Sequence, residues 1–572
     1  MIDRLKSFIQ LQQDTFHPKF FTLLKEGISR QQLRQDLVAG IIVGIIALPL
    51  AIAFAIASGV TPDKGLVTAV IAGFLIAALS GSRVQIGGPT GAFIPIVYGI
   101  VQQYGVDGLI ISTFMAGLLL VAMGIGRLGS VIKFIPHSLI VGFTTGIAVI
   151  IFSSQIKDMF GLPIEKVPAE FIDKWRLYAQ YFSQVNPWAA GISIATAVIA
   201  FFFPKITTKV PGALVAILVF TPLVQIFQIP VDTIETRFGN IPATIPAPVM
   251  PHLSWELIHQ LIRPAFTIAM LGAIESLLCA VVADSMVGGN HRSNTELVAQ
   301  GVGNMASALF GGIPATGAIA RTAANVKNGG RTPVAGIVHA AVLLLIMVFA
   351  GPWAKLIPLS VLAGVLVYVS YNMSEWRTFR AILRGQRSDV MVLLTTFFLT
   401  VLFDLTVAIE IGMILAAFLF IRRMAEIGDI RPVEGQIREM DDLKDPDSLH
   451  FYPIPPGVQV FEVNGPLFFG VAHKFKEAMR RVSKPPKVLI LRMRFVPTID
   501  ETGIHNLREF IKNMQARKVK VILSGVGPQL YEELEEARLV FLIGKKNLVS
   551  HISLAVERAK ECLDEEGHSM PK

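Results

Sequence analysis

Residues 84–102, VQIGGPTGAFIPIVYGIVQ, and residues 310–326, FGGIPATGAIARTAANV, decide the fold. In each, a glycine-bearing stretch meets a proline, then a Thr-Gly-Ala triplet, then a short apolar segment. Thr90-Gly91-Ala92-Phe93 and Thr316-Gly317-Ala318-Ile319 lie about 226 residues apart. Ile135-Pro136-His137-Ser138, ahead of Gly142, is echoed by Ile357-Pro358-Leu359-Ser360, ahead of Gly364, at an offset of about 222. One such echo would be ordinary for the small-residue composition of membrane helices; two at nearly one offset indicate an internal repeat.

Neither segment is long enough to cross a bilayer as helix. At 1.5 Å per residue, Pro89 to Gln102 spans about 21 Å and Ala315 to Val326 about 18 Å, against about 30 Å of hydrocarbon. Extended chain must complete each crossing, and residues 84–88 and 310–314 suit that role. Two helix N-termini are therefore predicted near the midplane. Each carries unpaired N–H groups and roughly half a positive charge. If the two halves of the repeat run in opposite directions, the termini face each other across a gap that attracts an anion.

The surrounding chain fits a membrane setting. Of its 572 residues 52% are hydrophobic and 16% charged, with a mean hydropathy of +0.58. Soluble domains carry about 25% charged residues, so a soluble enzyme and a disordered chain are both excluded. Apolar segments fall at about 38–58, 64–81, 89–103, 108–126, 135–155, 188–204 and 211–229. They resume at about 263–286, 295–311, 315–326, 333–350, 354–371, 388–404 and 406–421. Fourteen spans in two sets of seven put the halves in opposite orientation, because seven is odd. With both termini inside, the short cytoplasmic loops collect Arg83, Arg127, Lys133, Lys205, Lys209, Arg292, Lys327, Arg331 and the arginines from Arg377 to Arg387. The short outer loops hold Lys64 and Lys355, as the positive-inside rule requires. The net charge of +9 suits basic loops at a membrane better than nucleic acid. Cys279 and Cys562 make no disulfide framework, no His/Cys cluster has metal spacing, and no Walker A string is present. No cofactor is expected.

Charges inside spans are costly and mark function or a specific partner. Arg321 lies four residues after Gly317, about 40° around a helix. It reads as a fixed positive charge beside the anion, or as an arginine reaching the cytoplasmic surface from a short helix. Glu275 lies mid-span, where a short carboxylate cannot reach water. It reads as a proton carrier, or as a structural hydrogen-bonding group between helices. Asp284, Glu296, Asp404 and Glu410 lie near span ends and read as structural, and His339 as a packing residue.

From about residue 425 the texture changes. Residues 425–450 form a charged linker and residues 451–572 a small α/β domain, with strand patterns at 458–465, 487–493 and 518–526. Helical patterns fall at about 471–482, 501–516, 528–538 and 547–562. Asp500, Thr502 and Gly503 sit at a strand-to-helix turn, suited to an N-cap or to a phosphate or partner.

The stretches LPLAIAFAIASGV (48–60), GGPTGAF (87–93) and GIPATGAIARTAANVKNGGRTP (312–333), with the terminal domain, resemble the sulfate permease (SulP) family of anion transporters. The resemblance covers nearly the whole chain. It implies an all-α polytopic domain of fourteen spans in a seven-plus-seven inverted repeat, split into a core and a gate (residues 38–424). A cytoplasmic STAS domain follows. Residues 1–37 then form a cytoplasmic N-terminal segment. The family's anion site matches Thr90, Gly91, Ala92 and Phe93, together with Thr316, Gly317 and Ala318; Arg321 matches its basic residue and Phe54 a first-helix aromatic near the site. Members are commonly homodimers. Residues 269–282, 372–375, 400–412 and 464–470 are similar to the aerobic C4-dicarboxylate branch of bacteria. Glu275 stands where sodium-coupled bicarbonate members tend to carry Asp, which implies proton coupling. Leu50 departs from many sulfate transporters, which have Gln there. In related STAS regulators the position matching Thr502 is phosphorylated, which makes Thr502 a possible regulatory residue and the domain a candidate docking module. The combined expectation is a non-enzymatic, multi-pass inner-membrane symporter of a proton with a C4-dicarboxylate or small oxyanion. Sulfate or bicarbonate transport, exchange and an uncoupled channel are the alternatives.

Overall fold

A computed structural model describes residues 17–130, 135–206, 210–239, 244–250, 255–403, 405–427, 429–432, 454–468 and 486–567. The chain forms two compact units, Met1–Ala416 and Ala417–Lys572.

The first unit is helical. It opens with α1 (Lys19–Glu26), α2 (Arg30–Ala57) and α3 (Pro62–Leu79). The two-residue strand β1 (Gly87–Gly88) and a 3-10 turn (Gly91–Phe93) lead into α4 (Ile94–Ile125). Next come α5 (His137–Met159), α6 (Phe171–Tyr181), α7 (Pro187–Phe202), α8 (Gly212–Ile226) and α9 (Ile234–Phe238). The second half holds α10 (Trp255–Val287), α11 (Ser293–Leu309), β2 (Thr316–Gly317), α12 (Ile319–Lys327) and α13 (Val334–Ala354). It ends with α14 (Leu359–Met373), α15 (Trp376–Leu383), α16 (Arg387–Leu402) and α17 (Leu405–Ile427), whose residues from Ala417 on belong to the second unit. Each of the fourteen predicted spans coincides with helix. Among the described residues, seven helices are at least 18 residues long and apolar enough to cross a membrane on their own.

Two boundaries differ from the sequence expectation. The first span begins at Arg30 rather than near residue 38, because Ser29 caps the helix, its hydroxyl accepting from Gln32 N–H at 3.1 Å. Residues 30–37 are therefore helical and continuous with the first span. The third and fourth spans run together as α4, broken only at Gly105 (φ 71, ψ −174), a backbone shape that suits glycine.

Packing follows the repeat. Helix α2 packs on α13 as its counterpart α10 packs on α4. Likewise α3 packs on α13 as α11 packs on α4, and α5 on α16 as α14 on α7. Every pair maps onto its partner when the two sets of seven spans are exchanged. Glycines permit the close approaches: a Cβ on Gly65 would lie 2.1 Å from the Ala51 carbonyl oxygen, so α2 and α3 touch backbone to backbone.

Buried carboxylates fasten helix ends. Glu296 accepts from the Ser80 hydroxyl, from Gly81 N–H at 3.1 Å and from Gln300 at 2.8 Å. This ties the end of α3 to α11, consistent with a structural role. Asp36 accepts from Arg331 N–H at 2.8 Å, Thr332 N–H at 3.2 Å and the Thr332 hydroxyl at 2.7 Å. It thereby holds the chain entering α13.

The second unit carries a five-stranded sheet ordered β3 (Asp429–Pro432), β4 (Val458–Asn464), β5 (Val488–Phe495), β6 (Lys520–Ser524), β7 (Leu548–Val549). Strand β3 runs antiparallel to β4, and the remaining pairs are parallel. Helices α18 (Glu501–Ala516), α19 (Pro528–Glu536), α20 (Leu539–Ile543) and α21 (Ile552–Gly567) complete it. The charged texture of residues 425–450 conceals β3, which the sequence reading places in the linker. The helix predicted from 547 starts at Ile552, since Leu548–Val549 pairs with β6. The predicted helix at 471–482 lies outside the described residues.

Asp36→Ala would leave two backbone N–H groups of the α13 entry without their buried acceptor. Each such orphan costs about 1–3 kcal/mol. A lowered Tm of the detergent-solubilised protein is expected, with Asp36→Asn intermediate.

Candidate functional site

The two short segments meet as an antiparallel ladder. Gly87 pairs with Gly317, and Gly88 with Thr316. Ala318 N–H adds a bond to the Ile86 carbonyl at 2.8 Å, and Ile86 N–H donates to the Thr322 hydroxyl at 3.0 Å. These bonds satisfy backbone that would otherwise be unpaired at membrane depth. Glycine is needed at two points. Gly88 has φ +145, and a Cβ there would lie 2.7 Å from Arg321 Nη1; a Cβ on Gly317 would lie 1.8 Å from Gln85 Nε2.

From the ladder each chain turns into its half-helix. Thr90 precedes the 3-10 turn Gly91–Phe93, and Ala318 occupies the N-cap of α12. The predicted N-terminus at residue 315 is therefore corrected by about one turn. Thr316 and Gly317 are extended ladder residues, and α12 begins at Ile319. The angle expected between Gly317 and Arg321 on one helix face consequently does not apply, because the ladder claims the backbone of residues 316–318. The first turns of both half-helices still present N–H groups without intrahelical acceptors.

Three predicted residues converge at Pro89–Thr90. The Thr90 hydroxyl donates to Glu275 Oε2 at 3.0 Å. The Arg321 guanidinium donates to the Pro89 carbonyl, and the side chain is 3% exposed. Arg321 thus lies inside the fold, bridging the two half-helices, rather than extending to the cytoplasmic surface. Phe54 is close as well: a Cβ on Gly91 would stand 3.5 Å from Phe54 Cε1, 3.4 Å from Ile151 Cδ1 and 3.0 Å from Met373 Sδ. Helices α2, α5 and α14 therefore close around the start of the first half-helix. Ala92 and Phe93 are buried beneath that turn. Thr316 is buried and committed elsewhere, its hydroxyl donating to the Gly272 carbonyl of α10 at 3.0 Å.

Sequence reasoning missed Gln85, Ile151 and Met373. Gln85 donates to the Ser276 carbonyl at 3.3 Å, and its buried Oε1 has no hydrogen-bond partner among the described residues. A polar amide in an otherwise apolar extended stretch was the available signal for it. Ile151 and Met373 give none, being apolar residues in apolar helices. In the second unit, the Asp500 side chain caps α18 by accepting from Gly503 N–H at 2.7 Å, and Thr502 is exposed on the first turn.

Chemically, the arrangement offers donors and a fixed positive charge to an anion, with one carboxyl that shares a donor with it.

The sulfate permease family model matches residues 33–396, and the STAS domain model residues 452–559. YvdB of Bacillus subtilis, named as a candidate sulfate transporter, is 42% identical over 530 residues, 92% of this chain and 98% of its own. The bicarbonate transporter BicA of Picosynechococcus is 30% identical over 497 residues, 84% of this chain and 87% of its own. The solved transmembrane domain of a cyanobacterial BicA superposes with a TM-score of 0.61 at 32% identity, covering 68% of this chain and 98% of that one. The structure of SLC26A9 shares the fold, with a TM-score of 0.86 at 18% identity over 99% of this chain and 96% of that one.

Gly317→Val places a branched side chain where the Gln85 amide lies. Overpacking of this kind costs about 1–3 kcal/mol and here also pries the ladder apart. The expected result is a lower Tm together with loss of anion binding, read by thermal shift with and without added anion. Gly91→Ala meets only the flexible Met373 thioether and should be far milder.

Proposed function

Because the chain belongs to the sulfate permease family, we propose that it is a secondary active symporter that moves a C4-dicarboxylate or small oxyanion together with a proton. It is a membrane anion transporter and not an enzyme. The anion binds between the N-termini of the two half-helices, beside Arg321 and within reach of Thr90, Gly91, Ala92 and Phe93, with Gly317 and Ala318 opposite. Phe54 closes the site on the α2 side. The loop charges support an inner-membrane setting with both termini cytoplasmic. The protein works as a homodimer, and its STAS domain is a docking module that carries Thr502 at an exposed helix start.

The observation that carries this reading is the 3.0 Å hydrogen bond from the Thr90 hydroxyl to Glu275. The Thr90 O–H is a single donor. While Glu275 is ionised it holds that donor, and its negative charge repels an incoming anion. Once Glu275 takes up a proton, the repulsion is gone and the hydroxyl is free to turn to the anion. Each ligand then binds better when the other is bound, which is positive coupling in the thermodynamic sense. Symport follows if the core moves readily with both sites empty or both filled. Arg321 contributes a charge that does not depend on pH in the physiological range. Its bond to Pro89 keeps the half-helix starts in register.

Sulfate or bicarbonate as the substrate is a second reading, supported by the names of YvdB and BicA. The half-helix pair accepts either chemistry, and a panel of unlabelled competitor anions against uptake decides between them.

Glu275→Gln keeps the size and hydrogen-bonding capacity of the side chain but cannot exchange a proton. In proteoliposomes it should still bind and exchange anion while losing accumulation driven by an inward pH gradient; undiminished accumulation would reject the coupling role. Arg321→Ala should weaken anion binding by about tenfold or more, the scale of a lost charge-assisted contact, with Arg321→Lys in between. An unaltered affinity would remove Arg321 from the site.

A further inference from the structure

A second polar feature lies away from the half-helix pair. A cavity of about 1010 Å³ opens among α2, α4, α5, α6, α10 and α14. Its lining includes Ala53 and Ile94, each next in sequence to Phe54 or Phe93 of the central site. The opposite end is formed by α6 and the α5–α6 connection, the face that the loop charges assign to the outside. The cavity thus reaches from the outer loops to residues adjacent in sequence to the half-helix site.

Lys174 of α6 lines this cavity. Its residue is 3% exposed, far less than is usual for a lysine. The ammonium stands 5.7 Å from the centroid of the Tyr98 ring, and it makes no hydrogen bond or ion pair with a described residue. Tyr98 is itself held, its hydroxyl donating to the Val167 carbonyl at 2.5 Å. Tyr98 lies one helical turn beyond Ile94, about 6 Å along the axis of α4 between their Cα atoms.

Of the other charges around the cavity only the Glu170 carboxylate acts on this lysine, and it makes no ion pair with it. On α5, Asp158 is paired with Arg237 of α9 at 2.6 Å, and Lys157 donates to the Glu165 carbonyl at 3.3 Å. Glu170, one turn earlier on α6, Glu165 and Lys166 are solvent-exposed. Arg263 of α10 lines the same cavity and makes no ion pair with a described residue. Altogether five basic and three acidic residues line it. A buried ammonium without a partner is expensive, and a ligand anion would remove that cost.

We infer that Lys174 forms an outer anion-binding site, for a carboxylate or small oxyanion, at the entrance to the path leading to the half-helices. The site captures anion ahead of the central site, and Tyr98 and α6 form its walls. This goes beyond the transport reading, since an outer site binds anion whether or not flux is proton-coupled. Burial lowers the Lys174 ammonium from its ordinary value of 10.5 to about 8, opposed in part by the Glu170 carboxylate. The site is therefore charged at neutral pH and loses its charge as pH rises through about 8.

The test acylates the full-length detergent-solubilised protein with an amine-selective reagent and reads each lysine by mass spectrometry, with and without sulfate. At about four times the sulfate Kd, Lys174 labelling should slow about fivefold, as the free fraction falls. Exposed Lys546 should be unaffected. Protection should persist at the same sulfate concentration in Arg321→Ala, where the central site is weakened, and fade as pH rises from about 7 to about 9.5. Failure of sulfate, bicarbonate and fumarate alike to protect Lys174 would overturn the site. So would protection that vanishes in Arg321→Ala, because the effect would then come from the central site. In proteoliposomes Lys174→Met should raise the KM for uptake about tenfold with little change in maximal rate, and Lys174→Arg should restore it. An unchanged KM would contradict a capture role. The labelling result stands apart from flux, so failure of the symport reading and failure of this site are separable.

Discussion

Two chains stop being helical in the middle of a membrane domain, and their backbones must bond to something. The ladder between Gly87–Gly88 and Thr316–Gly317 is the answer, and the site depends on it. It fixes the distance between the two half-helices, sets their opposed directions and leaves their first-turn N–H groups free for a ligand. Arg321 reinforces the same junction by reaching across to the Pro89 carbonyl. Glycine is needed at the ladder because Arg321 and Gln85 occupy the volume where side chains of residues 88 and 317 would stand. Binding and structural integrity are therefore tied to the same few atoms.

The rest of the membrane unit supports that junction. The helix pairs that exchange under the repeat surround it symmetrically, and buried carboxylates at Asp36 and Glu296 fasten the ends of helices on either side. Against this rigid frame, one side chain has two possible partners. The Thr90 hydroxyl donates to Glu275, and in the proposed mechanism a single proton on Glu275 decides whether it serves that carboxylate or an anion. Coupling in this account needs no long pathway, only competition for one donor.

Much of this was legible in the sequence. The Thr-Gly-Ala echo and the Ile-Pro echo located the repeat, and loop charges counted the spans. Short length alone revealed the half-helices. Glu275 and Arg321 were visible because charges are rare at that depth, and the structure brings both to Pro89–Thr90. What sequence could not supply was register. The ladder shifts the start of α12 to Ile319, since pairing between residues more than 200 apart outweighs local helix preference. Thr316 looked equivalent to Thr90, yet its hydroxyl goes to Gly272 instead of a ligand position. Strand β3 was hidden for a similar reason: Asp429–Pro432 has no alternating pattern of its own and is a strand only because β4 offers an edge. Apolar contacts such as Met373 against Gly91 carry no sequence signal at all.

The central claim, that the anion and the ionised Glu275 carboxylate compete for the Thr90 hydroxyl so that anion and proton bind together, is tested most directly without any flux. Titrating the purified protein with anion in weakly buffered solution, with a pH indicator present, counts protons taken up per anion bound. The account predicts an uptake approaching one proton per anion near neutral pH, abolished in Glu275→Gln while binding remains. Anion binding with no proton uptake in the unaltered protein, or uptake that survives in Glu275→Gln, would contradict it.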